Sequence, residues 1–155
     1  MMDNQIIIRK ARKEDIDSIN QLSMEMHRYL ARSVGIEFSD KDLEEEKINP
    51  SELKNILVAE VDGIVVGYVV FEEEEDEWYG RHLYLGEIAV TDTYRGKGIG
   101  ERLMQRLFDI CEKKKLNLKV DTLVTNTRTI DFYKKLGFKP FMIHYIKEYE
   151  KRLKL

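Results

Sequence analysis

Cysteine is nearly missing: the 155 residues contain one, Cys111. A single thiol excludes an internal disulfide framework, and with it the small disulfide-stapled class of domain. Proline occurs only twice, and no Pro-rich linker or low-complexity stretch marks a boundary. A basic excess is missing too. The 26 Lys and Arg face 29 Asp and Glu, for a net charge of -3, which argues against a nucleic-acid partner. No apolar run approaches the roughly 20 residues that span a bilayer, so no membrane partner is expected. With no signal-like start, a cytoplasmic setting is the default expectation. The three histidines, His27, His82 and His144, form no H-x-x-x-H or His-Cys cluster, so no metal is expected.

What is present suits a soluble domain. Hydrophobic residues make up 43% and charged residues 35%, the latter above the usual value of about a quarter. The length suits one domain, residues 1–155, with a real core. In chain order, Gln5 to Ile8 reads as a strand. Ile16, Ile19, Leu22, Met26 and Leu30 recur at helical spacing until Gly35. Ser39 and Asp42 resemble a capping box for a second helix ending before Pro50. Two β-rich runs, Ile56–Val61 and Val65–Phe71, flank Asp62-Gly63, a hairpin signal. Glu72 to Glu77 are six consecutive acids, expected at a solvated loop or strand end, with an electrostatic funnel for a cationic amine as a further reading.

Leu83 to Val90 is the expected central strand. A helix from Gly98 carries Ile99, Leu103, Leu107 and Cys111 on one face, which makes Cys111 a small buried hydrophobe rather than a nucleophile. Lys119 to Val124 is a further strand. A short helix runs from about Arg128 to Leu136, and Phe141 to Tyr149 reads as a closing strand or hairpin arm. The order of elements suggests a mixed α/β sheet in one domain.

The most informative stretch is Arg95-Gly96-Lys97-Gly98-Ile99-Gly100. Glycines strip the backbone where a helix begins, and the free N–H groups of a helix start bind anions. A pyrophosphate is the expected ligand. No Lys-Ser or Lys-Thr follows a glycine at Walker A spacing. A dinucleotide fingerprint wants G-x-G-x-x-G directly after a strand. The spacing here is G-x-G-x-G, although Asp121 lies roughly where that fingerprint places its acid. A dinucleotide-binding oxidoreductase thus stays open.

Arg95, Gly98 and Gly100 also fill [Q/R]-x-x-G-x-[G/A]. With Glu87-Ile88-Ala89-Val90 upstream, and Asn126, Phe132-Tyr133 and Leu136-Gly137-Phe138 downstream, the chain resembles the GNAT superfamily of N-acetyltransferases. The resemblance implies a largely antiparallel sheet with helices on both faces and two splayed strands, Leu83–Val90 and Lys119–Val124. It implies acetyl-CoA as cosubstrate and transfer of its acetyl group to an amine by direct attack. Backbone N–H groups of Arg95, Gly96, Lys97, Gly98 and Gly100 would bind pyrophosphate. Ile88, Ala89 and Val90 would bond the pantetheine arm, with an N–H at Val90 polarising the thioester carbonyl. Asn126 would steady the strand end or that arm.

By the same resemblance Tyr133 protonates the leaving thiolate. An ordinary phenol, with a pKa near 10, keeps its proton at neutral pH. Glu87 is the best-placed acceptor of the amine's proton, with the acids at 72–77, Tyr145 and Tyr149 as weaker candidates. The segment around Tyr29 and Phe38 falls where the family builds its acceptor wall. The acceptor is a small amine or a protein or peptide amine. A C-terminal edge strand is also able to pair across a homodimer. A non-catalytic acyl-CoA-binding regulator on the same fold is the alternative, and Tyr133 separates the two.

Overall fold

The structure is a computed structural model that describes residues 5–39, 41–42, 47–150 and 152–153. Among these residues five strands form one sheet: β1 (Ile6–Lys10), β2 (Ile56–Val61), β3 (Ile64–Asp76), β4 (Gly80–Val90) and β5 (Asn117–Val120), in spatial order β1-β2-β3-β4-β5. The first four are antiparallel and β5 runs parallel to β4. Among the described residues three long helices complete the frame: α1 (Ile16–Ser33), α2 (Ile99–Lys114) and α3 (Thr127–Lys135). Among the described residues no helix is long and apolar enough to cross a membrane.

Two-residue alternation divides the core between the faces of the sheet. Ile56, Val58 and Tyr68 pack with Ile19 and Leu22 of α1. Leu57, Ala59, Val69, Leu83 and Leu85 turn the other way, onto Ile99, Leu103, Met104 and Leu107 of α2. Cys111 and Tyr133 close this second cluster. β1 is tied to the start of α1 by Arg9, whose guanidinium donates twice to Asp15 at 2.7 and 2.9 Å and once to Glu60 at 2.7 Å.

The Asp62-Gly63 turn joins β2 to β3 with φ of 51° and 80°, the doubly positive geometry that a right-twisted two-residue hairpin requires. Ser39 and Asp42 cap each other, with the Ser39 N–H donating to Asp42 Oδ2 at 2.8 Å and the Asp42 N–H to Ser39 Oγ at 3.3 Å. Most of the helix expected after them lies outside the described residues.

Three expectations are corrected. The strand expected over Val65–Phe71 runs on to Asp76, so most of the acidic run is strand. Pairing with residues 80 to 84 organises it, and Glu73 forms ion pairs with Arg81 and Lys114. The strand expected over Lys119–Val124 is Asn117–Val120. It ends where β5 parts from β4, because a strand without a neighbour has no ladder to join. The closing strand expected over Phe141–Tyr149 does not form: residues 139–148 lie in irregular, exposed backbone. Its β-branched and aromatic content fits a half-buried pleated surface, and a segment with no such surface beneath it stays irregular.

Candidate active site

The site begins where β4 loses one neighbour. β5 pairs with β4 only from His82 to Leu85, so residues 86–90 have a free edge on that side. The phase of that edge follows from one bond. The Thr91 N–H donates to Val66 O at 2.8 Å, and antiparallel ladders alternate. Ala89 therefore turns its backbone groups to β3, while Ile88 and Val90 turn theirs to the open side. A cleft of about 1020 Å³ lies along this edge, walled by α1, the loop at 94–98, the start of α2, and Asn126 and Tyr133.

The loop is shaped by Gly96 and Gly98, with φ of 74° and 76°, a left-handed conformation that costs other residues about 1–2 kcal/mol. Gly98 is the N-cap of α2. Gly100 serves a different purpose: a Cβ there would meet the Phe132 ring at 3.3 Å, so its small size lets α3 approach α2. Arg95 folds back, its Nε donating to Val90 O at 3.1 Å while its guanidinium pairs with Asp92. The Lys97 ammonium sits 4.5 Å from the Tyr94 ring centroid and does not line the cleft. What the loop offers an anion is main chain, at the positive end of the α2 dipole.

On the α1 side, Glu87 is the centre of a polar cluster. A register shift leaves Gly86 as an extra residue in β4, with Val70 facing Glu87 and Phe71 facing Leu85. Such bulges re-aim the adjoining side chain. Glu87 Oε2 accepts from the Tyr68 hydroxyl at 2.5 Å and from Ser23 Oγ at 3.1 Å. His27 Nε2 stands 3.5 Å from Glu87 Oε1, and its Nδ1 is 3.3 Å from Ser23 Oγ. Burial, then the adjacent carboxylate, pushes the Tyr68 phenol far above its ordinary pKa. Tyr68 is thus a fixed donor that holds one carboxylate oxygen, while the other faces His27. Glu87 and His27 keep side-chain exposures of 21% and 23%, enough to reach the cleft that both line.

Opposite them, Tyr133 is buried among Phe132 and Phe138 with 6% exposure. Burial, with a smaller contribution from Tyr84, raises its pKa. Its hydroxyl therefore carries a proton throughout the neutral range. Asn126 is the N-cap of α3, its Oδ1 accepting from the Thr129 N–H at 3.4 Å. Cys111 is buried, and desolvation raises its thiol pKa, as a packed hydrophobe requires.

The cleft gathers most of the residues singled out in the sequence, including Tyr29. Phe38, Tyr145, Tyr149 and the acids at 72–77 do not line it, so the acidic run forms no funnel at its wall. Sequence reasoning missed Tyr68, Ser23 and His27. Ser23 and His27 are four apart and share a helix face, a signal that was available. That Glu87 lies opposite them is a fact of packing alone.

Comparison with known proteins decides the family. Residues 16–138 match the model of the acetyltransferase (GNAT) family. The chain belongs to that family. Membership makes it an acetyl-CoA-dependent N-acetyltransferase. A thialysine N-epsilon-acetyltransferase of Bos taurus is 30% identical over 85% of this chain and 83% of its own. Two solved structures share the GNAT fold. The first, a PaiA N-acetyltransferase of Thermoplasma acidophilum in complex with coenzyme A, has a TM-score of 0.70 and 22% identity over 87% of this chain and 90% of that one. The second, a putative acetyltransferase of Pyrococcus furiosus, has a TM-score of 0.74 and 20% identity over 93% and 99%.

Proposed function

We propose that this GNAT acetyltransferase acts on a primary amine of a cationic acceptor, by direct attack, with Glu87 as the base and Tyr133 as the proton donor. The observation that carries the reading is the free edge of β4. It puts Glu87 at one end of a cleft, the outward amides of Ile88 and Val90 along it, and a bare helix start beyond. An extended pantetheine arm fits such an edge as an added strand would, and a pyrophosphate fits the backbone at 96–98. Acetyl-CoA supplies an acetyl group activated as a thioester. The Val90 N–H is the backbone donor suited to polarise its carbonyl.

The acceptor must lose a proton, because an alkylamine with a pKa near 10.4 is charged at pH 7. Glu87 takes that proton, and His27 beside it passes it toward solvent. Tyr68 and Ser23 hold Glu87 in place. Tyr133 donates to the sulfur as it departs. The cleft lining mixes five acids with four Arg and Lys residues; of these, Glu25 and Glu87 on the α1 side are suited to an acceptor with a second positive charge, such as a diamine or a lysine-like amino acid. The name of the bovine relative, thialysine N-epsilon-acetyltransferase, supports the same class.

Titration calorimetry with acetyl-CoA and with NAD tests the ligand. Acetyl-CoA binds with micromolar affinity and NAD does not. Binding of NAD in preference to acetyl-CoA would overturn the reading.

A further inference from the structure

Glycine inside a strand weakens it, because the unfolded chain has more freedom there than at any other residue. Such a glycine calls for a physical reason, and eight of the nine in this chain have one. Six lie at φ between 61° and 90°, where a side chain is strained. Gly67 in β3 is hemmed in: a Cβ there would stand 3.0 Å from Ala89 O and 3.2 Å from Val90 Cγ2. Gly100 makes room for the Phe132 ring. Gly86 in β4 has neither reason. Its φ lies outside the left-handed region. Its chain neighbours apart, a Cβ there would have one heavy atom within 4 Å, Val70 O at 3.8 Å, an ordinary contact. Nor does the bulge ask for glycine, since the bulge type that does so holds it in the left-handed region.

What the missing side chain leaves open is the cleft. Gly86 is exposed and lines it. Before it, Leu85 is buried in the core cluster that packs on α2. After it comes Glu87, held by Tyr68 and Ser23. A side chain at position 86 would therefore add bulk right beside the Glu87 carboxylate, in space that the protein itself does not fill. A glycine that neither turn nor packing requires marks a place where a ligand comes close to the backbone.

We propose that Gly86 is a specificity-determining residue: the acceptor's alkyl chain lies over its bare α-carbon as the amine meets Glu87, and the size of residue 86 sets which amines the site admits. The proposal rests on the acetyl-transfer reading, with Glu87 on the acceptor side of the cleft. The acceptor class is a primary amine with an alkyl chain behind the reacting nitrogen, as in a diamine or a lysine-like amino acid. An amine as small as methylamine has no use for the space.

The test compares Gly86→Ala and Gly86→Val with the wild type. Alanine in place of an unstrained glycine restricts the unfolded chain, and valine suits a strand. Both variants are expected to fold, Gly86→Ala with a raised Tm. One methylene in a fitted pocket is worth about tenfold or more. Gly86→Ala is therefore expected to lower kcat/KM for lysine and cadaverine about tenfold, and Gly86→Val to lower it further. Methylamine loses little, and acetyl-CoA affinity by calorimetry stays unchanged. A residue that only shaped the strand would not give a higher Tm together with a loss that grows with acceptor size. Wild-type kcat/KM in Gly86→Val overturns the proposal, as does an equal loss for all three amines. A lowered Tm in Gly86→Ala also overturns it, by making the glycine structural. If the wild type releases no thiol with any amine, the transfer reading fails, and calorimetry of cadaverine on the complex with coenzyme A decides. Weaker binding to Gly86→Val than to the wild type supports the proposal, and equal or absent binding overturns it.

Discussion

In the proposed reaction Tyr133 and Glu87 do opposite things, and their surroundings are suited to both. Tyr133 must keep a proton until sulfur departs. Burial raises its pKa above that of an ordinary phenol, so loss of the Tyr133 proton does not limit the rate in the neutral range. A positioned proton donor contributes about 10²–10⁴-fold, and Tyr133→Phe is expected to lower kcat by about 10²-fold or more with little change in acetyl-CoA affinity. Steady-state kinetics beside calorimetry checks this. Glu87 must face the amine in one geometry. The Tyr68 hydroxyl holds it from inside the core, and a hydrogen bond to a charged group is worth about 1.5–3 kcal/mol. Tyr68→Phe is expected to lose that much stability, measured by urea unfolding, and to lower kcat more than Ser23→Ala does.

At the scale of elements, the joint between β1 and α1 rests on the Arg9–Asp15–Glu60 group. Hydrogen bonding from Arg9 outweighs desolvation and holds the Asp15 carboxyl below its ordinary pKa. A carboxyl with a lower pKa folded than unfolded stabilises fully above the unfolded value, near 3.9. That contribution is lost as pH falls through the folded value. Asp15→Asn is therefore expected to cost about 2–3 kcal/mol at pH 7, and less at pH 2, by denaturant titration at both. A loss of the same size at both values would assign the effect to packing. The glycine loop is a second joint. Gly98→Ala forces a side chain into φ of 76° and is expected to weaken acetyl-CoA binding about tenfold by calorimetry while the fold survives.

These elements also mark the limits of the sequence. The Asp62-Gly63 turn, the apolar stripe of α2 and the Ser39–Asp42 box depend on near neighbours, and each was legible before the structure. The splay of β4 from β5 was expected only through the family resemblance. The bulge at Gly86 and the placing of Tyr68 under Glu87 depend on register across strands, which no local pattern records. The acidic run shows the same limit. Six like charges read as a solvated stretch, yet cross-strand partners keep most of them in β3.

For the whole molecule, the division of labour follows the two faces of the sheet. The α2 and α3 face supplies the loop, the helix start and Tyr133, while the α1 face supplies Ser23 and His27. In the proposed reaction the cofactor and the acceptor meet from opposite sides at β4, the strand whose free edge opens into the cleft. The most direct test of this account is release of free thiol when the protein is mixed with acetyl-CoA and a series of lysine-like amino acids, diamines and neutral amines. The account predicts steady release with the doubly charged acceptors, little with neutral ones, and at least a tenfold loss in both Glu87→Gln and Tyr133→Phe. Release at wild-type rates in both variants would contradict the assignment of these two residues.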